Sequence, residues 1–572
     1  MLPRHPEASY QPSLARDRGF CLCEIGSYGA RAVAVRAPFG WTLGAQFASL
    51  PTPKKALPLD REVEASEAAT VETPSGRLAG LRKGAVASFK GIPFARPPVG
   101  PLRWRLPEPA EPWAGTRDGT LFAPTCPQAP TQLETLMGMA VGEQSEDCLY
   151  LNVWTPASDG AKRPVMVWVH GGAFVLGAGS HGVYDGSGLA ELGAVVVTIN
   201  YRLGAFGFLA LGLVDEGAPG SGAEGIADQI LALDWVRRNI ASFGGDPDNV
   251  TIFGESAGAM SVSALLASPA ARGLFHKAIA QSGAAHIGHE PERSARVARA
   301  LLEEMGLEPH ETQKAVDAPY SALIAAQIAL IAKTNAGKDL RKLGALPFQP
   351  TIDGALIPAR PITLLRDGAG AAIPLLTGTT REEWKLFTAA NPALRLMSAK
   401  NFTERVERLA GDLAPQMLEA YDHGSPYERF NALMTDKAFA VPAARLAETQ
   451  ARSAPVFTYR FDWRSNFLGG LMGACHALDI GFTFGTYNKS LAGAFFGTGT
   501  AADALARDMM DSWVAFATTG DPSTRATGSW PGYDATLRPT MIFGDGAPHL
   551  VNAPNGRRLR AWDKMPERRV GP

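Results

Sequence analysis

Asn249-Val250-Thr251-Ile252-Phe253-Gly254-Glu255-Ser256-Ala257-Gly258-Ala259-Met260-Ser261-Val262-Ser263-Ala264-Leu265-Leu266 divides into three pieces. Residues 249–253 form a short β-branched and aromatic run, which predicts a buried strand. Residues 259–266 read as a helix. Between them stands Gly254-Glu255-Ser256-Ala257-Gly258, a G-x-S-x-G pentapeptide. A strand, a Gly-flanked turn and a helix together make a nucleophile elbow. The turn is tight, so a side chain at position 254 or 258 would collide with a neighbouring strand or helix. The same turn lifts the Ser256 hydroxyl above the sheet edge. The helix that follows aims its free N–H groups at any developing anion. Pentapeptides of this form also arise by chance in Gly-rich chains, and this chain has 61 glycines. The flanking strand and helix raise this one above a structural turn.

Composition narrows the classes. A chain of 572 residues is long for one average domain but within range of a single large α/β domain with insertions. Its hydrophobic content of 46% and charged content of 19% are those of an ordinary globular protein. A net charge of −1 offers no electrostatic case for nucleic acid or an anionic membrane. No apolar run reaches the roughly 18 residues of a membrane span. Five cysteines are too few for a disulfide scaffold. No CxxC pair and no HExxH segment marks a zinc site, and no cofactor is expected. Residues 1–68 mix Pro, Arg and short apolar pieces without a sustained period. They read as a weakly ordered N-terminal extension, with Pro51-Thr52-Pro53-Lys54-Lys55 as a linker. Met1-Leu2-Pro3-Arg4-His5-Pro6 precedes no continuous apolar region, so it does not read as a signal peptide.

From residue 69 the pattern is regular. Residues 70–80 alternate and turn like a β-hairpin, and 87–95 continue it. Strands are predicted at 150–154, 165–169, 194–200, 249–253, 278–283, 373–377, 456–461 and 540–543. A helix is predicted over 226–243, with Leu231, Trp235 and Ile240 on its inward stripe. Uninterrupted β-branched runs alternating with helices predict an α/β domain over 69–572. Its central sheet should be large, mostly parallel and covered on both faces. In such sheets the site lies beyond the carboxyl ends of the strands, and the partners of Ser256 are sought there.

His170-Gly171-Gly172-Ala173-Phe174 follows a strand and fits an oxyanion loop. Gly172, Ala173 and Ala257 are the expected N–H donors. Each preorganised donor of this kind is worth roughly 3–4 kcal/mol in a transition state. A carboxylate should come next in chain order. Glu382 and Glu383 follow the predicted strand at 373–377, and Asp353 is a rival whose Asp-Gly pair is more simply a turn. The base is one of His423, His476 and His549. His423 lies beside a helical stretch, His549 follows the last strand, and His476 follows the strand at 456–461 through a Gly-rich connection.

The chain resembles the type-B carboxylesterases, with the closest likeness to bacterial para-nitrobenzyl esterases. The resemblance covers about residues 69–563. It rests on Phe89-Lys90-Gly91-Ile92-Pro93-Phe94-Ala95, on Ser145-Glu146-Asp147-Cys148-Leu149-Tyr150-Leu151-Asn152-Val153, and on the oxyanion loop. It rests also on Asn200-Tyr201-Arg202-Leu203-Gly204, on Phe243-Gly244-Gly245-Asp246-Pro247-Asp248-Asn249-Val250-Thr251, and on the elbow. The family acid is the Glu of an Arg-Asp-Glu-Gly segment. Its match is Arg381-Glu382-Glu383-Trp384, so the resemblance implies Glu383. The family histidine begins a His-Ala-Leu-Glu segment, matched by His476-Ala477-Leu478-Asp479. One departure stands out: the glycine after the acid is Trp384 here.

The resemblance implies the α/β-hydrolase fold, with helical insertions over the site. It implies a cofactor-free serine hydrolase of small to medium uncharged esters, working through an acyl-enzyme. Alternatives are an amidase, a carbamate hydrolase or a lactonase on the same triad, or a non-catalytic binding homologue. Intact Ser256, Glu383 and His476 speak against the last. The resemblance also implies structural ion pairs Arg103–Glu146 and Arg202–Asp228, and Ser282 as a serine behind the acid. A family disulfide would join Cys126 to Cys148, which bacterial cytosol would keep reduced. Phe174, Phe206 and Phe387 are candidate pocket walls. Trp168, Trp235 and Trp513 read as core. A cytoplasmic monomer or small homo-oligomer, without nucleic-acid partner or membrane span, is expected.

Overall fold

The computed structural model describes residues 66–129, 137, 139–337, 339–489 and 492–572. The extension expected over residues 1–68 falls almost entirely outside the described residues.

Among the described residues, thirteen strands form one sheet. In chain order they are β1 (Glu67–Thr73), β2 (Gly76–Lys83), β3 (Val86–Pro93), β4 (Thr116–Asp118), β5 (Tyr150–Thr155), β6 (Arg163–Val169) and β7 (Val195–Ile199). Then follow β8 (Gly245–Glu255), β9 (Lys277–Gln281), β10 (Leu375–Thr380), β11 (Val456–Phe461), β12 (Pro539–Phe543) and β13 (His549–Asn552). The spatial order is β1-β2-β3-β5-β7-β6-β8-β9-β10-β11-β12-β13, with β4 beside β2. From β7 to β12 every neighbouring pair is parallel. Antiparallel strands flank this centre, β1, β2, β3 and β5 on one side and β13 on the other.

The central strands read as unbroken apolar runs because each face meets its own core. Val165, Val167 and Val169 of β6 enter one cluster, with Val195, Val197, Ile199, Val250 and Ile252. Met166 and Trp168 point the other way, into a second cluster with Val196, Phe253, Ile279 and Phe457. This is the period-two alternation of a strand with no wet face. Helices α1 (Glu224–Asn239), α2 (Ala257–Ala267), α3 (Val441–Gln450) and α4 (Thr500–Thr519) are among those covering the sheet. A third cluster, around Trp384, Phe402, Met417, Phe430, Phe439 and Trp562, belongs to the helices lying beyond the carboxyl end of β10.

The inward stripe expected on α1 is wider than three residues. Leu231 packs half-buried against the main core, and Ala232, Leu233, Trp235, Val236 and Ile240 are buried. α1 also buries Ile226, Asp228 and Gln229. A helix enclosed over so much of its circumference has no narrow stripe to read. Trp168, Trp235 and Trp513 are buried. No helix among the described residues is long and apolar enough to cross a membrane.

Candidate active site

β8 ends at Glu255 and α2 begins at Ala257, which leaves Ser256 alone at the turn. Its backbone sits at φ 55°, ψ −121°. That is a strained region for a residue with a side chain, costing of order 1–3 kcal/mol. Two bonds hold it there: Ser256 N donates to Gln281 O (2.9 Å) and Met260 N to Ser256 O (2.9 Å). The flanking glycines are required by close approach. A Cβ on Gly258 would lie 2.0 Å from Val169 O, and one on Gly254 would lie 2.6 Å from the same oxygen.

The loop after β6 packs on this turn. Gly172, Ala173 and Phe174 have φ of 109°, 55° and 63°. Two of the three carry side chains, so the loop is held in a sparsely populated backbone conformation. The loop is held by Leu176 N donating to Gly172 O (2.9 Å) and Gly204 N to Phe174 O (2.7 Å). Among the described residues, the N–H groups of Gly172, Ala173 and Ala257 have no acceptor within the protein.

Three residues past β10, Glu383 is fully buried. Its Oε1 accepts from Thr380 N (2.7 Å) and from the Ser282 hydroxyl (2.6 Å). Its Oε2 lies 2.7 Å from His476 Nδ1. The imidazole Nε2 lies 3.1 Å from Glu255 Oε1, on the residue before Ser256. That oxygen makes no hydrogen bond, so Nε2 contacts it out of line and stays available to a better-aimed partner. Phe439 and Phe387 wall the imidazole, with ring centroids at 4.7 Å and 5.5 Å.

Three carboxylates therefore surround one imidazole. Burial pushes the Glu255 carboxyl up to about 8, against the opposing pull of His476. Burial likewise raises Asp479 to about 6, although Gln281 Nε2 (3.0 Å) and the Tyr459 hydroxyl (2.9 Å) donate to it. Burial alone would lower His476, but Glu255, Glu383 and Asp479 outweigh it and hold the imidazole at about 9. The charge state of the ring therefore depends on how many of its neighbours are ionised.

The other candidates lie elsewhere. Glu382 turns away from His476 to Lys385 Nζ (2.6 Å) and Ala474 N (3.0 Å). Asp353 closes its own turn by accepting from Ala355 N and Ile357 N. His423 is exposed beside Asp422, and His549 is exposed on β13. Phe174 and Phe206 are buried in the main core, which leaves Phe387 as the expected wall that reaches the imidazole. Trp384 sits at φ −69°, ψ −14°, a helical conformation open to any side chain. The missing glycine therefore leaves the turn at Glu383 intact. Cys126 and Cys148 are buried free thiols. Glu255 and Phe439 were not anticipated as neighbours of the imidazole. Phe439 lies on a π-helical turn, Asp436–Ala440, and such turns are frequent at functional sites.

Comparison with known proteins agrees with this geometry. The pattern of the carboxylesterase family matches residues 67–562. The para-nitrobenzyl esterase of Bacillus subtilis (strain 168) is 41% identical over 501 residues, covering 85% of this chain and 97% of that protein. The phenmedipham hydrolase of Pseudarthrobacter oxydans is 35% identical over 484 residues, covering 83% and 94%. A crystal structure of a Geobacillus stearothermophilus carboxylesterase superposes with a TM-score of 0.77 at 38% identity, covering 86% of this chain and 100% of that one. A para-nitrobenzyl esterase structure gives 0.75 at 39% identity, covering 86% and 99%. A mixed sheet with helices on both faces, a strained serine at the strand-to-helix turn and these likenesses agree: the chain belongs to the carboxylesterase family, has the α/β-hydrolase fold and is a carboxylic-ester hydrolase.

Proposed function

We propose that Ser256 is the nucleophile, His476 the general base and acid, and Glu383 the group that orients the imidazole. The observation that carries this reading is the 2.7 Å contact between His476 Nδ1 and Glu383 Oε2. A carboxylate on Nδ1 holds the proton there and leaves Nε2 as the base. The Ser256 hydroxyl attacks the ester carbonyl carbon as Nε2 takes its proton. The oxyanion is met by the N–H groups of Gly172, Ala173 and Ala257, at roughly 3–4 kcal/mol per donor. Collapse of the tetrahedral intermediate breaks the bond to the alcohol oxygen, which leaves with the proton from His476. A water molecule, deprotonated by the same nitrogen, then releases the acid from Ser256.

The substrates proposed are small to medium uncharged esters, of the p-nitrobenzyl or p-nitrophenyl type. Phe387 and Phe439 offer apolar surface beside the imidazole, while Glu255, Glu383 and Asp479 disfavour an anionic group. A cytoplasmic location belongs to the same reading, and it would keep Cys126 and Cys148 as thiols.

The test is Ser256→Ala assayed on p-nitrophenyl esters of increasing acyl length. Turnover is expected to fall by about a thousandfold or more on every ester, with circular dichroism unchanged. A folded Ser256→Ala protein with near-normal activity would refute the assignment. Among esters cleaved by the wild type, the fall in kcat/KM with acyl length sizes the pocket.

A further inference from the structure

We propose that Glu382 is a positioning residue that clamps the loop carrying His476 to the loop carrying Glu383. The proposal rests on the assignment of His476 and Glu383 above. Three hydrogen bonds join the two segments. Glu382 N donates to Ala474 O (2.8 Å), Ala474 N donates to Glu382 Oε2 (3.0 Å), and His476 N donates to Glu383 O (3.3 Å). Backbone and side chain of one residue thus grip one residue of the opposite loop, two positions before the imidazole.

The histidine-bearing loop needs such an anchor. Leu468, Gly469, Gly470 and Gly473 all have left-handed φ, from 53° to 83°. A segment with so much glycine fixes little of its own shape. Within it the bonds run from Gly470 N to Asn466 O (3.2 Å) and from Gly473 N to Gly470 O (3.1 Å), and Ser465 N to Gly473 O (3.0 Å) closes the neck without fixing where the loop stands over Glu383. Glu382 supplies a fixed point from outside. Its carboxylate fills the space over Gly473, where a Cβ would lie 2.2 Å from Oε2. It is mostly buried and stays ionised: Lys385 Nζ stands 2.6 Å from Oε1, with Arg464 3.8 Å from Oε2. Burial opposes ionisation, but Lys385, Ala474 N–H and Arg464 together hold the carboxyl below its ordinary range. The clamp therefore persists across the pH range in which the imidazole must lose its proton.

A clamp two residues from the base sets the Glu383–His476 distance, and misplacement of about 1 Å can cost about a hundredfold in rate. Removing the acceptor in Glu382→Ala is expected to lower kcat by about ten- to a hundredfold with KM within about threefold of wild type. The acidic limb of the pH profile should move to lower pH, because a loosened Glu383 contact supports the imidazolium less. Glu382→Gln keeps an acceptor for Ala474 N and is expected to recover kcat to within about threefold of wild type. Gly473→Ala leaves the carboxylate present but displaces it, and should reproduce the Glu382→Ala kinetics should that variant fail to fold. Wild-type kcat and pH profile in Glu382→Ala or in Gly473→Ala would overturn the clamp. So would a Glu382→Gln enzyme as impaired as Glu382→Ala, since the ion pairs rather than the Ala474 bond would then matter. His476→Ala run in parallel separates the two readings. If it stays active, the triad assignment fails; if it is dead while the Glu382 variants behave as wild type, only the clamp fails.

Discussion

Glu255 is where the electrostatics of the site can be tuned by one atom. It is buried, its Oε1 lacks a hydrogen bond, and it stands 3.1 Å from His476 Nε2, the proposed base. An ionised Glu255 stabilises the imidazolium and so withholds the base. Burial opposes that ionisation and keeps the carboxyl up at about 8. The two groups therefore compete over protons, and the imidazole gives up its own more readily when Glu255 holds one. Glu255→Gln removes the negative charge but keeps the shape. The imidazole pKa should fall, so the acidic limb of kcat/KM should move to lower pH by about one unit or more. A pH profile on a p-nitrophenyl ester measures this, and a limb that stays put or moves upward contradicts it. This coupling was invisible in the sequence, because Glu255, Glu383, His476 and Asp479 come from three separated loops. The elbow was legible because Gly254, Ser256 and Gly258 carry their constraint within five residues. The proposed acid and base were narrowed by chain order to a few candidates each, and spacing alone could not choose among them.

At the level of elements, the elbow was legible for the reason that makes it fragile. The strand before it is an unbroken apolar run, and the turn tolerates nothing larger than glycine beside β6. Gly258→Ala would place a methyl 2.0 Å from Val169 O, a contact that backbone atoms cannot relieve by a rotamer change. Either β6 or α2 must shift, and each carries part of the proposed oxyanion site. We expect Gly258→Ala to lower esterase activity by about a hundredfold or more, or to yield insoluble protein. A soluble variant with wild-type kcat/KM would contradict the packing described. The π-helical turn Asp436–Ala440 shows the opposite case. Its extra residue in the helical turn swings Phe439 toward His476, and nothing in Asp436-Lys437-Ala438-Phe439-Ala440 announces it. Helical period reading assumes 3.6 residues per turn and loses phase where one turn is wider. The hairpin of β1 and β2 was legible with its antiparallel pairing, β3 and β5 were legible as strands without their direction, and the short, exposed edge strand β13 was not read at all. The inward stripe of α1 was read too narrowly, because the helix is enclosed on more than one side.

Across the whole molecule, the buried ion pair between Arg202 and Asp228 ties the loop after β7 to α1. Arg202 Nε and Nη2 meet the carboxylate at 2.8 Å and 2.7 Å, Arg202 N donates to it at 2.9 Å, and both side chains are almost fully enclosed. Arg202 Nη1 also donates to Arg105 O (2.8 Å), so the pair joins three parts of the chain. A pair this deep gains in attraction roughly what it loses in hydration, and its net contribution is small. Breaking it is a different matter, because the survivor is left buried without its hydrogen-bonded partner, and among the described residues only the nearby Glu224 carboxyl still faces it. Asp228→Leu is therefore expected to destabilise the fold by about 3–5 kcal/mol. The double variant Arg202→Met/Asp228→Leu removes both charges at similar volume and should recover much of that loss, with the Arg105 carbonyl bond as the remaining cost. Urea denaturation followed by tryptophan fluorescence measures both. The expected order of midpoints is wild type, then the double variant, then Asp228→Leu, because the penalty belongs to the unpaired charge. A double variant less stable than Asp228→Leu would mean that the pair's own attraction, rather than the cost of an orphaned guanidinium, dominates at this junction.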